Sequence, residues 1–431
     1  MRASSELLMA ALHSASEELT GKGVRFEVFA RLGESLHVTR GEGGEIERRS
    51  SREFGAGCRV AGNGRAGFGA ASGGGARAGR EAARTALGAM LEAPDPLPPR
   101  SALGSTGTSL PHRLPEIERL ETLAAEAAAL LGGGRPAVRA VQVRVLAGTS
   151  AAAIATGEGF HARAAAGGAV LELLVAPPEG PWRHFHFAAP ALADLDPAAV
   201  AERVRETALL ATRGAPPERR LADVLLAPAV AAPLVEALAR FLTGASDEAR
   251  AHRVAGGWRL LDDRPGPEGL LPLPWDGEGV PARRIELVGD GKVGERPATW
   301  ESARGLGLPP GGAVRPSYRH PPAPGAANLV VRAERPAPQA ALLARLEDGF
   351  FLAAPAGGVR VDTPDGRFSL RAAAVALRHG RPVAAHPLIE LRGSFRRILS
   401  GVVAAGADSE SFSLSCAVTT PSLLIRRLEV T

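Results

Sequence analysis

Residues 271–293 read LPLPWDGEGVPARRIELVGDGKV, from Leu271 to Val293. Pro272 and Pro274 hold the backbone extended. Asp276-Gly277 is turn chemistry, and Gly279 adds a second point where a positive φ costs little. Arg283 to Val288 alternates as a strand does, and Gly289-Asp290-Gly291 reads as a hairpin turn returning through Lys292-Val293. Two acids and two glycines therefore sit on a tight loop between prolines and a strand. Such a loop is either structural or the lining of a site.

The same mixture of alternating strands and isolated helices extends in both directions. Arg220 to Leu226 reads as a strand, Val230 to Leu242 as an apolar helix, and turns such as His379-Gly380 separate the later strands. This makes residues 220–431 one mixed α+β domain rich in antiparallel strands. Upstream, residues 107–214 carry a helix over Pro115 to Leu131, several alternating strands, and a helix over Pro197 to Thr212. They read as a second antiparallel-sheet unit with helices. Residues 1–93 open with a helix over 3–20. A strand follows at Val24 to Arg31, with Glu34 to Arg40 as its hairpin partner. Next come a glycine-rich meander folded at Asn63-Gly64 and a helix over Ala76 to Leu91, so this is a small N-terminal α+β unit. Glu92 to Leu114, rich in Pro, Ser and Gly, links the two units. The fold class is α+β.

Composition excludes several function classes. At 431 residues the chain is long enough for two or three cores. No run of about eighteen apolar residues offers a membrane span. The first residues carry Glu6, His13, Glu17 and Glu18 at helical spacing and read as an amphipathic helix rather than a signal peptide. With two cysteines, Cys58 and Cys416, a disulfide framework is not expected, and a cytoplasmic location is. The net charge of +5 does not imply nucleic acid. Lys22 and Lys292 are the only lysines, and the arginines are spread beside acids, with one tyrosine for stacking.

No catalytic set is visible on residue types alone. Ser72 to Gly79 opens a helix but lacks the Lys-Ser/Thr of a phosphate loop. No Gly-x-Ser-x-Gly elbow occurs, and Cys58 and Cys416 lie on expected strands without a base. His184 and His186 share one strand face, as two metal ligands would, but no third ligand is near in sequence. Asp276 and Glu278 are read as turn formers accepting backbone N–H groups, with Arg283 and Arg284 as ion partners.

The segment Pro274-Trp-Asp-Gly-Glu-Gly-Val-Pro-Ala-Arg-Arg284 resembles the P-x-D-G-E-G-x-P-T/A-R-R segment of the TldD/PmbA family. Gly55 to Phe68 resembles the family's G-x-G-x-R-V-x-x-x-G-R-x-G-F. Asn328-Leu329-Val330, Glu347-Asp348-Gly349, Gly357-Gly358-Val359, Asp362 to Leu370 and Pro421 to Ile425 resemble further family pieces in the same order. TldD-type members carry His-Glu-x-x-x-His on a helix plus a later cysteine, which hold a catalytic zinc. Here the matching helix is Val230 to Leu242, and no histidine lies between His186 and His252. Val235 or Glu236 takes the first imidazole's place and Arg240 or Phe241 the second; Cys416 falls near the cysteine. The closer likeness is to the PmbA/TldE type, which lacks the zinc motif. The resemblance implies a non-catalytic subunit, metal-free, with zinc in a TldD-like partner. Its role would be to complete a chamber for unfolded or modified peptides, with homodimers possible without the partner. Asp276, Gly277, Glu278, Gly279, Arg283 and Arg284 are then candidates for the peptide cleft or partner interface. Two alternatives stay open: a stand-alone peptide-binding or regulatory protein, and a hydrolase built on a different site. The family's label of gyrase modulator would imply DNA contact, which no basic run here supports.

Overall fold

The computed structural model describes residues 2–104, 113–134, 138–176, 182–209, 217–246, 250–266, 270, 273–362 and 365–431. Leu271 and Pro272, the middle of the first linker, the end of the helix expected over 197–212, and residues 363–364 of the Asp362 to Leu370 segment lie outside the described residues.

Among the described residues, seven strands form one antiparallel sheet across the N-terminal half. They are β1 (Arg25–Gly41), β2 (Ile46–Gly62), β3 (Arg65–Ser72), β4 (Leu91–Glu92), β5 (Arg139–Thr156), β6 (His161–Ala176) and β7 (Arg183–Ala189), in the spatial order β4-β3-β2-β1-β5-β6-β7. The expected second sheet is therefore not separate, because β1 pairs with both β2 and β5 along most of its length. Nor is Glu34 to Arg40 the hairpin partner of Val24 to Arg31. Both belong to β1, and Gly33 sits inside the ladder opposite Glu53 and Ser150. Likewise β5 and β6 run unbroken through facing Gly148 and Gly168. A glycine within an alternating pattern lets a long strand bend rather than ending it.

The helices divide one face of this sheet. α1 (Arg2–Leu19) and α2 (Gly75–Gly88) cover one end over Val28, Ala56, Cys58 and Val60. α3 (Ile117–Gly133) and α4 (Pro197–Leu209) cover the other end over Val38, Val145, Leu171 and Leu173. The two N-terminal units thus keep separate cores on a shared sheet. The glycines of Ser72 to Gly79 serve helix packing: a Cβ at Gly79 would stand 2.0 Å from the Ala11 carbonyl oxygen of α1.

Among the described residues, the C-terminal half holds a six-stranded and a seven-stranded sheet packed around the helix Pro228–Gly244. β8 (Arg220–Leu226) leads into α5 (Pro228–Gly244), then β9 (Trp258–Asp263), β10 (Arg284–Gly289), β11 (Lys292–Val293) and α6 (Trp300–Leu306). A two-stranded ribbon, β12 (Ala313–Val314) with β13 (Ala323–Pro324), precedes β14 (Asn328–Ala333), α7 (Gln339–Ala344), β15 (Asp348–Pro355) and β16 (Arg360–Asp362). The chain closes with β17 (Arg367–Arg378), β18 (Arg381–Ser394), α8 (Phe395–Gly401), β19 (Val402–Ala405), β20 (Glu410–Ser413), β21 (Ala417–Thr420) and β22 (Leu423–Val430). One sheet runs β11-β10-β9-β14-β21-β20. The other runs β15-β8-β22-β18-β17-β16, with β15 also paired to β17, so it closes into a ring. Val230, Leu234, Val235, Leu238 and Leu242 of α5 fill the common core, because a helix with so wide an apolar face must bury it. The expected turns at Asn63-Gly64, Asp290-Gly291 and His379-Gly380 all have two positive φ values, as tight hairpins between right-twisted strands require. The expected α+β class holds. Among the described residues no helix is long and apolar enough to cross a membrane.

Candidate functional site

The period of two along β1 and β2 decides which side chains face the C-terminal domain. Glu27 stands opposite Arg59, Phe29 opposite Gly57, and Arg31 opposite Gly55. These three pairs share one sheet face. The missing side chains at Gly55 and Gly57 make room for Tyr318, whose ring lies 2.2 Å from an ideal Cβ at Gly55 and whose carbonyl oxygen lies 2.3 Å from one at Gly57. The chain's one tyrosine is thereby set into the N-terminal sheet from a C-terminal loop. Phe29, Ile154 and Phe160 from the sheet pack with Trp275, Val280 and Tyr318 from that half.

The loop at Asp276 docks beside this contact. Asp276 Oδ1 accepts the N–H groups of Glu278 and Val280 at 2.9 and 3.1 Å, and Oδ2 accepts that of Ala313 at 3.1 Å. Gly279 takes φ 82° to close the turn. Glu278 points the other way. Its Oε1 accepts from Arg59 Nη1 at 2.8 Å and its Oε2 from the Trp300 N–H at 2.6 Å, which opens α6. Arg59 also grips Glu27, and Arg315 joins Glu27 while stacking 4.6 Å over the Phe29 ring. Glu27, Arg59, Glu278 and Arg315 are all buried. The reading of Asp276 and Glu278 as acceptors of backbone N–H groups matches this geometry. Their expected ion partners do not. Arg283 pairs with Glu295 at 2.6 Å and Arg284 with Asp263 at 3.0 Å, because the strand carries both away from the loop. Arg59, 219 residues before Glu278, is the partner instead.

Burial sets the protonation balance of this junction. Asp276 is pushed up to about 7 by burial first and by the Glu278 charge second, against the pull of its backbone donors and Arg264. For Glu27 burial pushes upward, but Arg59 and Arg315 outweigh it and hold the carboxyl below its usual range.

A cleft of about 780 Å³ opens between the two halves. Its walls include Arg31, Ser150 and Ala152 from the sheet, and Glu236 and Arg240 from α5. Asp276, Gly277, Arg315 and the Ser415-Cys416 turn complete it. Of the loop residues singled out in the sequence, Asp276 and Gly277 line the cleft. Glu278 and Gly279 lie at the domain junction, and Arg283 and Arg284 lie outside the cleft lining. Trp275 Nε1 and Arg315 Nη1 are buried beside it with no protein partner among the described residues. Arg264, fully buried, is held by Asp262 at 2.8 Å and donates to the Ala313 carbonyl at 2.7 Å.

In either alignment, Val235 with Arg240 or Glu236 with Phe241, one imidazole place falls in apolar packing and the other faces the cleft. Val235 is buried in the core, and Phe241 packs on Phe395 at 5.1 Å. Glu236 and Arg240, at i and i+4, face the cleft. Glu236 Oε1 accepts from the Ser415 N–H at 2.8 Å, the Ser415 hydroxyl at 2.5 Å and the Cys416 N–H at 3.3 Å. Arg240 donates to Ser415 Oγ at 3.1 Å. Cys416 sits in this turn between β20 and β21, not on a strand as the sequence implied. Burial, then the charges of Glu236 and Asp262, push its thiol up to about 12, so it stays protonated at neutral pH. These donors do not fit a zinc ion. α5 carries no imidazole, one carboxylate oxygen of Glu236 already accepts three hydrogens, and the neighbouring Arg240 is a permanent cation.

The other candidates fall elsewhere. Cys58 is buried under α2 with its thiol raised by burial. His186 approaches Glu172 at 3.5 Å on the sheet, where that hydrogen bond, against burial and with help from Arg144, draws Glu172 down to about 2. His184 lies on the same face, its pKa lowered by burial. Among the described residues, no group of three or more His, Cys, Asp or Glu side chains forms a metal cluster. Sequence reasoning missed Glu27, Arg31, Arg59 and Arg315. For Arg59 a signal was present: Gly55-x-Gly57-x-Arg59 places two vacant positions and a cation on one strand face.

Residues 219–431 match the family model described as the PmbA/TldA metallopeptidase C-terminal domain. No curated protein matches the chain by sequence. Solved structures similar over the whole length include TldE from Thermococcus kodakarensis, at 15% identity and TM-score 0.80, covering 98% of this chain and 100% of that one. A candidate DNA gyrase modulator from Thermotoga maritima aligns at 16% identity and TM-score 0.78, covering 98% and 100%. Another from Bacteroides thetaiotaomicron aligns at 16% and 0.73, covering 99% and 98%. At these identities the structures establish a shared fold. Through the domain at residues 219–431, the chain belongs to the PmbA/TldD family.

Proposed function

We propose that this chain is a TldE-like, metal-free subunit of a zinc peptidase, acting in the cytoplasm on unfolded or modified peptides. It supplies one wall of the peptide chamber while a TldD-like partner holds the zinc and cleaves. The observation that carries this reading is the cleft face of α5. There Glu236 and Arg240 occupy the i, i+4 positions and are bonded to the Ser415-Cys416 turn. This pair fastens α5 to the turn and offers no water-activating centre. We assign the peptide to this cleft of about 780 Å³, which carries polar and charged side chains on its walls. The test is co-expression with a homologue carrying His-Glu-x-x-x-His, followed by size-exclusion chromatography and cleavage of an unfolded peptide. Co-elution, with cleavage lost when this chain is left out, is expected. Separate elution or unchanged cleavage overturns the proposal, and cleavage by the isolated chain after dialysis against a chelator replaces it with a hydrolase.

A further inference from the structure

The charges of the cleft are paired almost completely within the protein. Arg264 is neutralised by Asp262, Arg315 by Glu27, and Arg240 lies 3.9 Å from Glu236. Asp276 is saturated by three N–H groups. Arg31 is the exception. It is half-buried on β1, and among the described residues it makes no ion pair. Its Nε donates to Ser150 Oγ at 2.9 Å and its Nη1 to the Pro316 carbonyl at 2.6 Å. The acid that acts on it through space, Glu53, gives its Oε1 to the Tyr318 hydroxyl at 3.1 Å and to Arg319 at 3.0 Å.

We propose that Arg31 is a carboxylate receptor in the cleft, so that this subunit selects peptides presenting a carboxylate there, either an Asp or Glu side chain or the C-terminus. The inference rests on the peptide-chamber reading. Two anchoring bonds fix the guanidinium against the sheet and leave Nη2 without a protein acceptor among the described residues. A desolvated cation in that state gains most from an anion that accepts in its own plane. A single carboxylate matches the single unpaired charge; a phosphate, with nearly two charges, calls for more donors than Arg31 alone supplies. Ala152 and Ala164 beside it leave room for an extended chain and contribute no competing polar group.

The test is calorimetric titration of the full chain, at low salt, with three acetylated pentapeptides. One is Ala-Ala-Ser-Ala-Ala amide, one is the same peptide with a free C-terminal carboxylate, and one is the amide with Glu in place of Ser. Binding of either acidic peptide about tenfold tighter than the neutral amide supports the proposal, and the peptide that gains identifies the source of the carboxylate. Arg31→Gln should erase that preference and Arg31→Lys should keep part of it. Equal binding of all three by the wild-type chain overturns the carboxylate inference and leaves the chamber intact. Binding of none overturns the carboxylate inference for this chain, and the co-expression experiment decides the chamber reading separately. A preference that survives in a folded Arg31→Gln chain assigns the recognition to another group and removes Arg31 from it.

Discussion

Arg59 is the residue on which the two halves of the chain meet. Its guanidinium serves Glu27 and Glu278 at once, out of water. Arg59→Ala leaves two buried carboxylates without their cation and should cost about 3–5 kcal/mol in urea denaturation. A loss under about 1 kcal/mol would mean that water reaches the pair. Asp276 makes stability depend on pH. Its unfolded value is 3.8 and its folded one about 7, so its contribution is whole below pH 3.8 and is lost as pH rises through 7. The denaturation midpoint should fall as pH rises from 3.8 to about 7, and Asp276→Asn should flatten that slope. Glu27 acts in the opposite sense and in another window. Its depressed pKa costs stability only as pH falls below 4.5, its ordinary value. At the far side of the cleft, Glu236 helps to keep Cys416 protonated. Glu236→Gln should raise alkylation of Cys416 by iodoacetamide severalfold at pH 8.5, with buried Cys58 as the unreactive control.

At the scale of elements, β2 and the loop ending at Tyr318 form one joint. The Gly55-Ala56-Gly57 segment is a socket because a Cβ at Gly57 would overlap the Tyr318 carbonyl. Gly57→Ala should destabilise the chain by about 1–3 kcal/mol, and intrinsic fluorescence should report displacement of Tyr318 and Trp275. Unchanged stability and spectrum would show that the loop is not seated there in solution. Helix α5 was legible as a helix from its apolar run. Which of its residues face the cleft was not. Val235 and Glu236 are neighbours in sequence about 100° apart on the helix, and only the sheets packed around α5 select Glu236 for the open side.

For the molecule as a whole, the junction joins the halves into one body. Phe29, Ile154 and Phe160 share a core with Trp275, Val280 and Tyr318. The buried ion network crosses the same boundary. The wild-type chain should therefore unfold in a single calorimetric transition, and Arg59→Ala should separate the halves into two. Two transitions in the wild type would mean that the junction contributes little. The cleft belongs to this scale as well, since neither half alone encloses it.

The sequence by itself determined the α+β class, the X-Gly hairpins, the apolar central helix and the family pattern. Each of these is local: alternation, turn residues with positive φ and short motifs are properties of neighbours in the chain. It did not determine that two N-terminal units share one sheet, because pairing β1 with β5 depends on strands more than a hundred residues apart. It assigned Arg283 and Arg284 to the loop acids by proximity in sequence, whereas burial at the domain junction brought Arg59 to Glu278. Tertiary structure decided the partners of the buried charges at the domain junction. Once a carboxylate leaves water, whichever cation the fold delivers to it must satisfy it, wherever that cation stands in the sequence.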